Sequence, residues 1–148
     1  MKTVLTCAIL WVLLVCNNTA GAQNSTRPNL FDGFPNVINC STSELEKAFT
    51  STEGNQILFS FSNNTIFTGL LSSSTQRYAN LKSSVVKLNN LQGAILAISK
   101  RTEEDNSITY VGRIINQQYS DGYELKKDNN GNYILNKIKL DDILQDHQ

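Results

Sequence analysis

The chain has 148 residues with thirteen basic and thirteen acidic side chains, so its formal net charge is zero. This balance excludes a strong long-range field that would attract nucleic acid or an anionic membrane surface. One histidine and three cysteines leave little material for the side-chain clusters on which most catalytic and metal sites depend.

The amino-terminal stretch, residues 1–22, predicts a secretory signal peptide. After a basic residue comes an apolar run, Val4 to Val15, that is too short to span a bilayer as a helix. Ala20 and Ala22 occupy the small-residue cleavage positions, which makes Gln23 the expected mature N-terminus. No second apolar run of membrane-spanning length follows. We therefore expect a secreted, extracellular protein with no membrane span.

Cleavage of this leader would change the cysteine count of the protein. Cys7 and Cys16 would leave with the leader, so Cys40 would remain as a lone thiol. A lone thiol in a secreted domain is either buried as a small apolar residue or paired between two chains. The sequence leaves both alternatives open, and the second implies a disulfide-linked dimer.

Three triplets in the mature chain fit the acceptor pattern for N-glycosylation. They begin at Asn24, Asn39 and Asn63. Asn24 lies in an accessible segment close to the leader, whereas the triplet at Asn39 has a cysteine in its middle position. The sequence therefore predicts a secreted glycoprotein.

Residues 23–42 are predicted to form an irregular, loosely ordered leading segment because they contain both prolines of the chain, Pro28 and Pro35. A single β-rich domain, residues 43–148, is expected to follow it.

That domain begins with a short amphipathic helix. Ser43 followed by Glu46 fits a capping box, and Leu45, Ala48 and Phe49 recur at the spacing of one helical face.

Beyond the helix, the hydrophobic period changes to that of strands. Seven short runs rich in β-branched and aromatic residues are separated by polar turns, and they cover residues 57–61, 65–71, 84–88, 94–99, 108–115, 123–127 and 133–140. This spacing predicts a mainly β fold, an antiparallel sandwich or partial jelly roll with one short N-terminal helix.

The last two runs predict a hairpin in detail. Asn130-Gly131 is the dipeptide that best tolerates the two positive φ angles of a type I′ turn. A two-residue turn at this point would place Tyr123 opposite Ile138 and Glu124 opposite Lys137.

Catalytic and metal-binding signatures are weak. Asp141, Asp142, Asp146 and His147 form an acidic cluster that would suit a divalent cation, but a solvated chain end explains the same residues. A catalytic histidine next to the last residue of the chain would have little support. We therefore assign no catalytic residue, no metal and no cofactor, and expect a non-enzymatic protein.

Five basic side chains are candidates for an anion or sulfated-glycan patch. They are Lys100, Arg101, Lys126, Lys137 and Lys139, which the predicted hairpins would bring to neighbouring positions. The alternative is ordinary alternation of charge on the wet face of a sheet.

The second half of the chain resembles thrombospondin N-terminal and laminin-G-like domains in its order of strands. The matching segments are Val85–Leu88, Gly93–Ile98, Ile108–Arg113, Tyr123–Lys127 and Ile138–Asp142, within residues 84–148. The resemblance implies an adhesive, matrix-binding module.

Together these observations predict a secreted glycoprotein that acts by binding an extracellular protein or glycan, with matrix or cell-surface recognition as the leading hypothesis. A small secreted effector acting on a protein target, such as an immune, venom or reproductive-fluid factor, is one alternative. A carrier for an apolar ligand is the other.

Overall fold

The computed structural model describes residues 27–62 and 64–140. These residues form eight β-strands and one α-helix, in the order β1 Val37–Cys40, α1 Thr42–Thr50, β2 Gln56–Ser60, β3 Ile66–Tyr78, β4 Leu81–Leu88, β5 Ile95–Thr102, β6 Ile108–Ile115, β7 Asp121–Lys127 and β8 Tyr133–Lys139. The predicted mainly β fold with a single short helix is confirmed. Within this part of the chain, no helix is both long and apolar enough to cross a membrane. The predicted signal peptide, Asn24, Asn63 and the C-terminal acidic cluster lie outside it.

All eight strands belong to one antiparallel sheet in the order β1-β8-β7-β6-β5-β4-β3-β2. From β2 to β8, each strand pairs with the next one along the chain, so the sheet is a succession of hairpins. Strand β1 breaks this order because it pairs with β8 at the opposite edge of the sheet.

The sheet curls until its two edges approach each other. The Ser62 amide, which follows β2, donates to the Asn39 carbonyl in β1 at 3.2 Å, and the Asn39 amide donates to Ser62 Oγ at 2.9 Å. Strands β1 and β2 are therefore linked at one end although they lie at opposite ends of the sheet order.

Helix α1 covers the remaining backbone edge of β2. The Ser60 amide donates to Glu44 Oε2 at 2.6 Å, and Lys47 Nζ donates to the Leu58 carbonyl at 2.9 Å. Unpaired strand edges are templates for association with other chains. Side chains of the helix satisfy this edge, so β2 is protected from such pairing.

The hydrophobic core lies between the inner face of the curled sheet and helix α1. Strand side chains alternate between the two faces, and in β2 the buried Ile57 and Phe59 alternate with the exposed Leu58. Each large apolar side chain that is fully buried contributes about 1.5–3 kcal/mol. Aromatic side chains fill much of this space, namely Phe31, Phe59, Phe61, Phe67, Tyr110, Tyr123 and Tyr133.

Helix α1 buries the three residues predicted for its inner face, but the predicted capping box is wrong. The N-cap is Ser41, whose side chain accepts a hydrogen bond from the Glu44 amide at 3.4 Å. The reason is that the chain leaves β1 at Cys40, so the next residue already occupies the extended cap position. The helix therefore starts two residues earlier than predicted, and Glu46 is released for a contact with the sheet.

The leading segment is more ordered than the sequence predicts. Val37–Cys40 forms strand β1, and the residues before it are held at the end of β7 and β8. The Asp121 carboxylate accepts hydrogen bonds from the amides of Leu30 and Phe31 at 2.6 and 2.9 Å. Lys137 Nζ donates to the Phe31 carbonyl at 2.7 Å. Asp121 and Lys137 are about 90 to 106 residues away in the sequence. The local sequence with its two prolines therefore suggested a loosely ordered segment.

The β7–β8 hairpin is present, but the predicted register is wrong by one residue. Tyr123 lies opposite Lys137 and not opposite Ile138. The turn has positive φ at Gly131 alone, and the Asp128 side chain binds amides on its far side. The loop is therefore a three-residue type I turn with a left-handed glycine. Because side chains alternate, the one-residue shift moves each β8 side chain to the opposite face from that predicted.

Candidate binding groove on the outer sheet face

The five basic residues predicted as a glycan patch do not lie together. Lys100, Lys137 and Lys139 project from the inner side of the sheet, while Arg101 and Lys126 project from the outer side. The corrected hairpin register is the cause, since it separates Lys126 from the two β8 lysines. The prediction of a single patch is therefore wrong.

Lys100 instead belongs to a cluster that anchors helix α1. Its Nζ lies 2.5 Å from Glu46 Oε1, and the Tyr110 hydroxyl donates to Glu46 Oε2 at 2.5 Å. Burial raises the pKa of Glu46, but the hydrogen bonds from Lys100 and Tyr110 outweigh it and hold the pKa below its usual value. Both carboxylate oxygens are occupied, so the cluster has a structural role.

Cys40 lies in the core with only 7% of its surface exposed, and it is a free cysteine. Its thiol donates weakly to the Ile38 carbonyl at 3.5 Å. Burial raises the pKa of the thiol to about 12, which keeps it protonated and unreactive. Of the two alternatives left open by the sequence, this geometry favours the buried thiol, since the side chain faces the core.

Among the predicted glycosylation sites, Asn39 is the one that the structure describes. Its side chain is exposed in β1, between the buried Ile38 and Cys40. A glycan at this position would point away from the core. Glycosylation at Asn24, Asn39 and Asn63 stays a prediction.

A groove of about 860 Å³ crosses the outer face of the sheet from β3 to β7. Its centre is low because short side chains lie next to one another there, namely Ser83, Ala97 and Ser99. Gly112 lies opposite the buried Ile98 and Leu125, so its Cα faces the inner side and it contributes only backbone to the groove. The groove is thus formed by short side chains on the neighbouring strands β4 and β5, not by a loop.

The groove has an apolar lining that remains in contact with solvent. Val111 is 54% exposed and Ile95 is 43% exposed, and Val85 and Ile115 are half-buried beside them. Exposed apolar side chains are common on protein surfaces, and these four lie along one groove of the outer face.

Three cationic side chains line the groove. Arg77 reaches the groove from β3, Arg113 from β6 and Lys126 from β7. Arg113 Nη2 lies 3.0 Å from Glu124 Oε1, and the two side chains form an ion pair on the outer face. The groove therefore has a cation toward each end, Arg77 and Lys126, and an ion-paired arginine on β6 between Val111 and Ile115.

The sequence contains a signal for this site that the strand prediction did not use. Ile95–Ile98 is apolar at four successive positions, and Val85–Val86 is apolar at two. A strand with one wet face should alternate. Continuous apolar residues in these strands therefore predict apolar side chains on the outer face as well.

The chain was compared with known protein families, characterised proteins and solved structures, and none of them matches it. The resemblance to thrombospondin N-terminal and laminin-G-like domains stays a prediction. Across residues 27–62 and 64–140, no group of three or more His, Cys, Asp or Glu side chains is placed to hold a metal ion.

Proposed function

We propose that this protein is a secreted extracellular binding protein that acts in matrix or cell-surface recognition and contacts a protein partner through the outer-face groove. The observation that carries the proposal is the solvent-exposed apolar lining around Val111 and Ile95. Secretion and glycosylation rest on the leader and acceptor triplets in the sequence.

The physical reason is the cost of leaving this lining wet. Covering a half-exposed aliphatic side chain gains roughly 1 kcal/mol, so several such side chains in one groove supply a useful part of a binding energy. The surrounding basic residues would form the polar rim that is typical of protein interfaces.

A protein partner suits this groove better than a sulfated glycan or an enclosed apolar ligand. A sulfated glycan would engage the cationic rim and leave the apolar centre wet. The interior of the sheet is occupied by aromatic side chains and helix α1, so it offers little room for a carried ligand. A secreted effector with a protein target would use the same groove, and only the identity of its partner would differ.

The test compares capture of partners by three immobilised forms of the mature protein: the wild type, Val111→Glu and Leu58→Glu. Val111 lies in the groove, whereas Leu58 is 50% exposed on the outer face of β2 and outside the groove. We expect the wild type and Leu58→Glu to retain the same protein from extracellular matrix extract or body fluid, and Val111→Glu to lose it.

A retained matrix or cell-surface component supports the leading form of the proposal, and a soluble protein supports the effector. Retention of the same proteins by Val111→Glu, or of lipid alone, would overturn the role of the groove.

A further inference from the structure

We propose that the groove binds an extended, acidic and aliphatic segment of a protein partner, laid across the strands with its carboxylates toward the two ends of the groove. This inference rests on the proposed function, in which the groove is a binding site, and adds the chemistry of the segment that it takes.

The charge distribution over the sheet is the principal observation. Along the described strands, the outer face carries five cationic side chains, Arg77, Lys87, Arg101, Arg113 and Lys126, and a single acidic one, Glu124. The chain as a whole is neutral, so its acidic residues are concentrated elsewhere. A partner with complementary charge would be both attracted and oriented by this face.

The distance between the cations sets the length of the bound segment. Arg77 occupies an irregular position of β3, where the pairing register with β4 shifts, and Lys126 lies on β7. Four steps between neighbouring strands separate β3 from β7, which corresponds to about 19 Å along the sheet. An extended peptide covers this span with about six residues.

The centre of the groove determines what lies between the carboxylates. Between the two cations, the segment would cross the row Ser83, Ser99 and Val111, with Val85 and Ala97 in the neighbouring row of the same face. Aliphatic side chains would cover these residues, and the short side chains of Ala97 and its neighbours leave space for them. Arg113, already paired with Glu124, would contribute less than Arg77 or Lys126 to an acidic partner.

The inference can be tested with a displayed library of random linear peptides. The library is selected on the folded wild-type protein and depleted on Val111→Glu, so that only peptides dependent on the groove remain. We expect the selected peptides to share two acidic residues separated by an aliphatic stretch of about four residues, as the span of the groove requires.

A selected synthetic peptide is then titrated against the wild type, the double variant Arg77→Glu/Lys126→Glu, and Lys139→Glu. Lys139 is an exposed lysine that does not line the groove, so its reversal, with half the charge change of the double variant, controls for a charge effect outside the groove. We expect the double reversal to weaken binding by about tenfold or more, rising salt to weaken binding to the wild type, and Lys139→Glu to change affinity by less than about twofold.

The outcomes separate this inference from the proposed function. The selected peptides could depend on the groove yet lack acidic residues, or their affinity could be insensitive to both the double reversal and salt. Either result would overturn the inference of an acidic segment and leave the groove as a binding site. Heparin binding that is equal in the wild type and Val111→Glu, with no peptide selected, would overturn the segment in favour of a glycan. Circular dichroism shows whether the double variant folds, and Arg77→Gln/Lys126→Gln replaces it if it does not.

Discussion

The Nζ atom of Lys100 lies 2.5 Å from Oε1 of Glu46, and this ion pair joins the middle of helix α1 to the inner side of strand β5. The Tyr110 hydroxyl, one strand further along, donates to the other carboxylate oxygen. The carboxylate thus links the helix to two strands, in addition to the apolar contacts of Leu45, Ala48 and Phe49.

Replacement of Glu46 by glutamine should lower the free energy of unfolding by about 1 kcal/mol near neutral pH, because it removes a charge-assisted contact that is partly exposed to solvent. Burial raises the pKa of Glu46, but the hydrogen bonds from Lys100 and Tyr110 lower it by more, so the folded pKa lies below the ordinary value of 4.5. The stabilisation is then complete above pH 4.5 and is lost as the pH falls through the folded pKa. Urea denaturation over this pH range measures it.

The matched control is Glu104→Gln, which makes the same chemical change in the exposed loop before β6. If the two variants have equal stability at every pH, the Glu46 contact does not stabilise the fold.

The Cys40 thiol should not react with a disulfide reagent in the native protein. It is buried and its pKa is raised to about 12, so it presents almost no thiolate at mildly alkaline pH. Colorimetric thiol titration should show one reactive group only after denaturation, and the secreted protein should migrate as a monomer on a non-reducing gel. A dimer band that is lost on reduction would contradict this.

Substitution of Gly112 by alanine should destabilise the fold by about 1–3 kcal/mol, the usual range for overpacking. The added Cβ would lie 2.6 Å from the Ala97 carbonyl oxygen, which is backbone and cannot rotate away, so β5 and β6 would have to separate. Thermal unfolding measures the loss. Gly33→Ala is the control because nothing lies within 4 Å of the corresponding Cβ, and an equal loss there would rule out the steric explanation.

Expression of the full chain in secretory cells should release a protein that begins at Gln23 and carries N-linked glycans. Small residues precede this position at the predicted cleavage site. Amino-terminal sequencing identifies the mature end, and glycosidase treatment should increase the electrophoretic mobility. Single Asn→Gln variants at Asn24, Asn39 and Asn63 assign the sites, and mobility unaffected by the glycosidase would contradict glycosylation.

A strand could be predicted from the sequence where apolar and polar residues alternate, because the apolar residues then mark the inner face of the sheet. Ile57–Phe61 is such a case, and it forms most of β2. Strand β1 has only four residues and follows Pro35, so its sequence carries no comparable pattern. Its pairing with β8 depends on residues near the other end of the described chain, which no local pattern contains.

The functional residues were harder to predict because they depend on register. Asp128 binds the amides of its own turn and lengthens the loop by one residue, and this single change separates Lys126 from Lys137 and Lys139. The groove depends on the alignment of Ala97 with residues of three further strands. Such alignments follow from tertiary packing and from turn geometry, which Asn130-Gly131 alone left ambiguous.

The pairing of β1 with β8 also constrains the order in which the protein folds. Contacts between consecutive strands close short loops and form quickly, whereas a contact between distant segments costs more loop-closure entropy and forms later. The β2–β8 hairpins are therefore expected to form before β1 docks, leaving the aromatic inner face partly uncovered until the final strand has been synthesised. During synthesis, β1 emerges first but must wait for β8, so correct folding depends on keeping this early strand from pairing elsewhere.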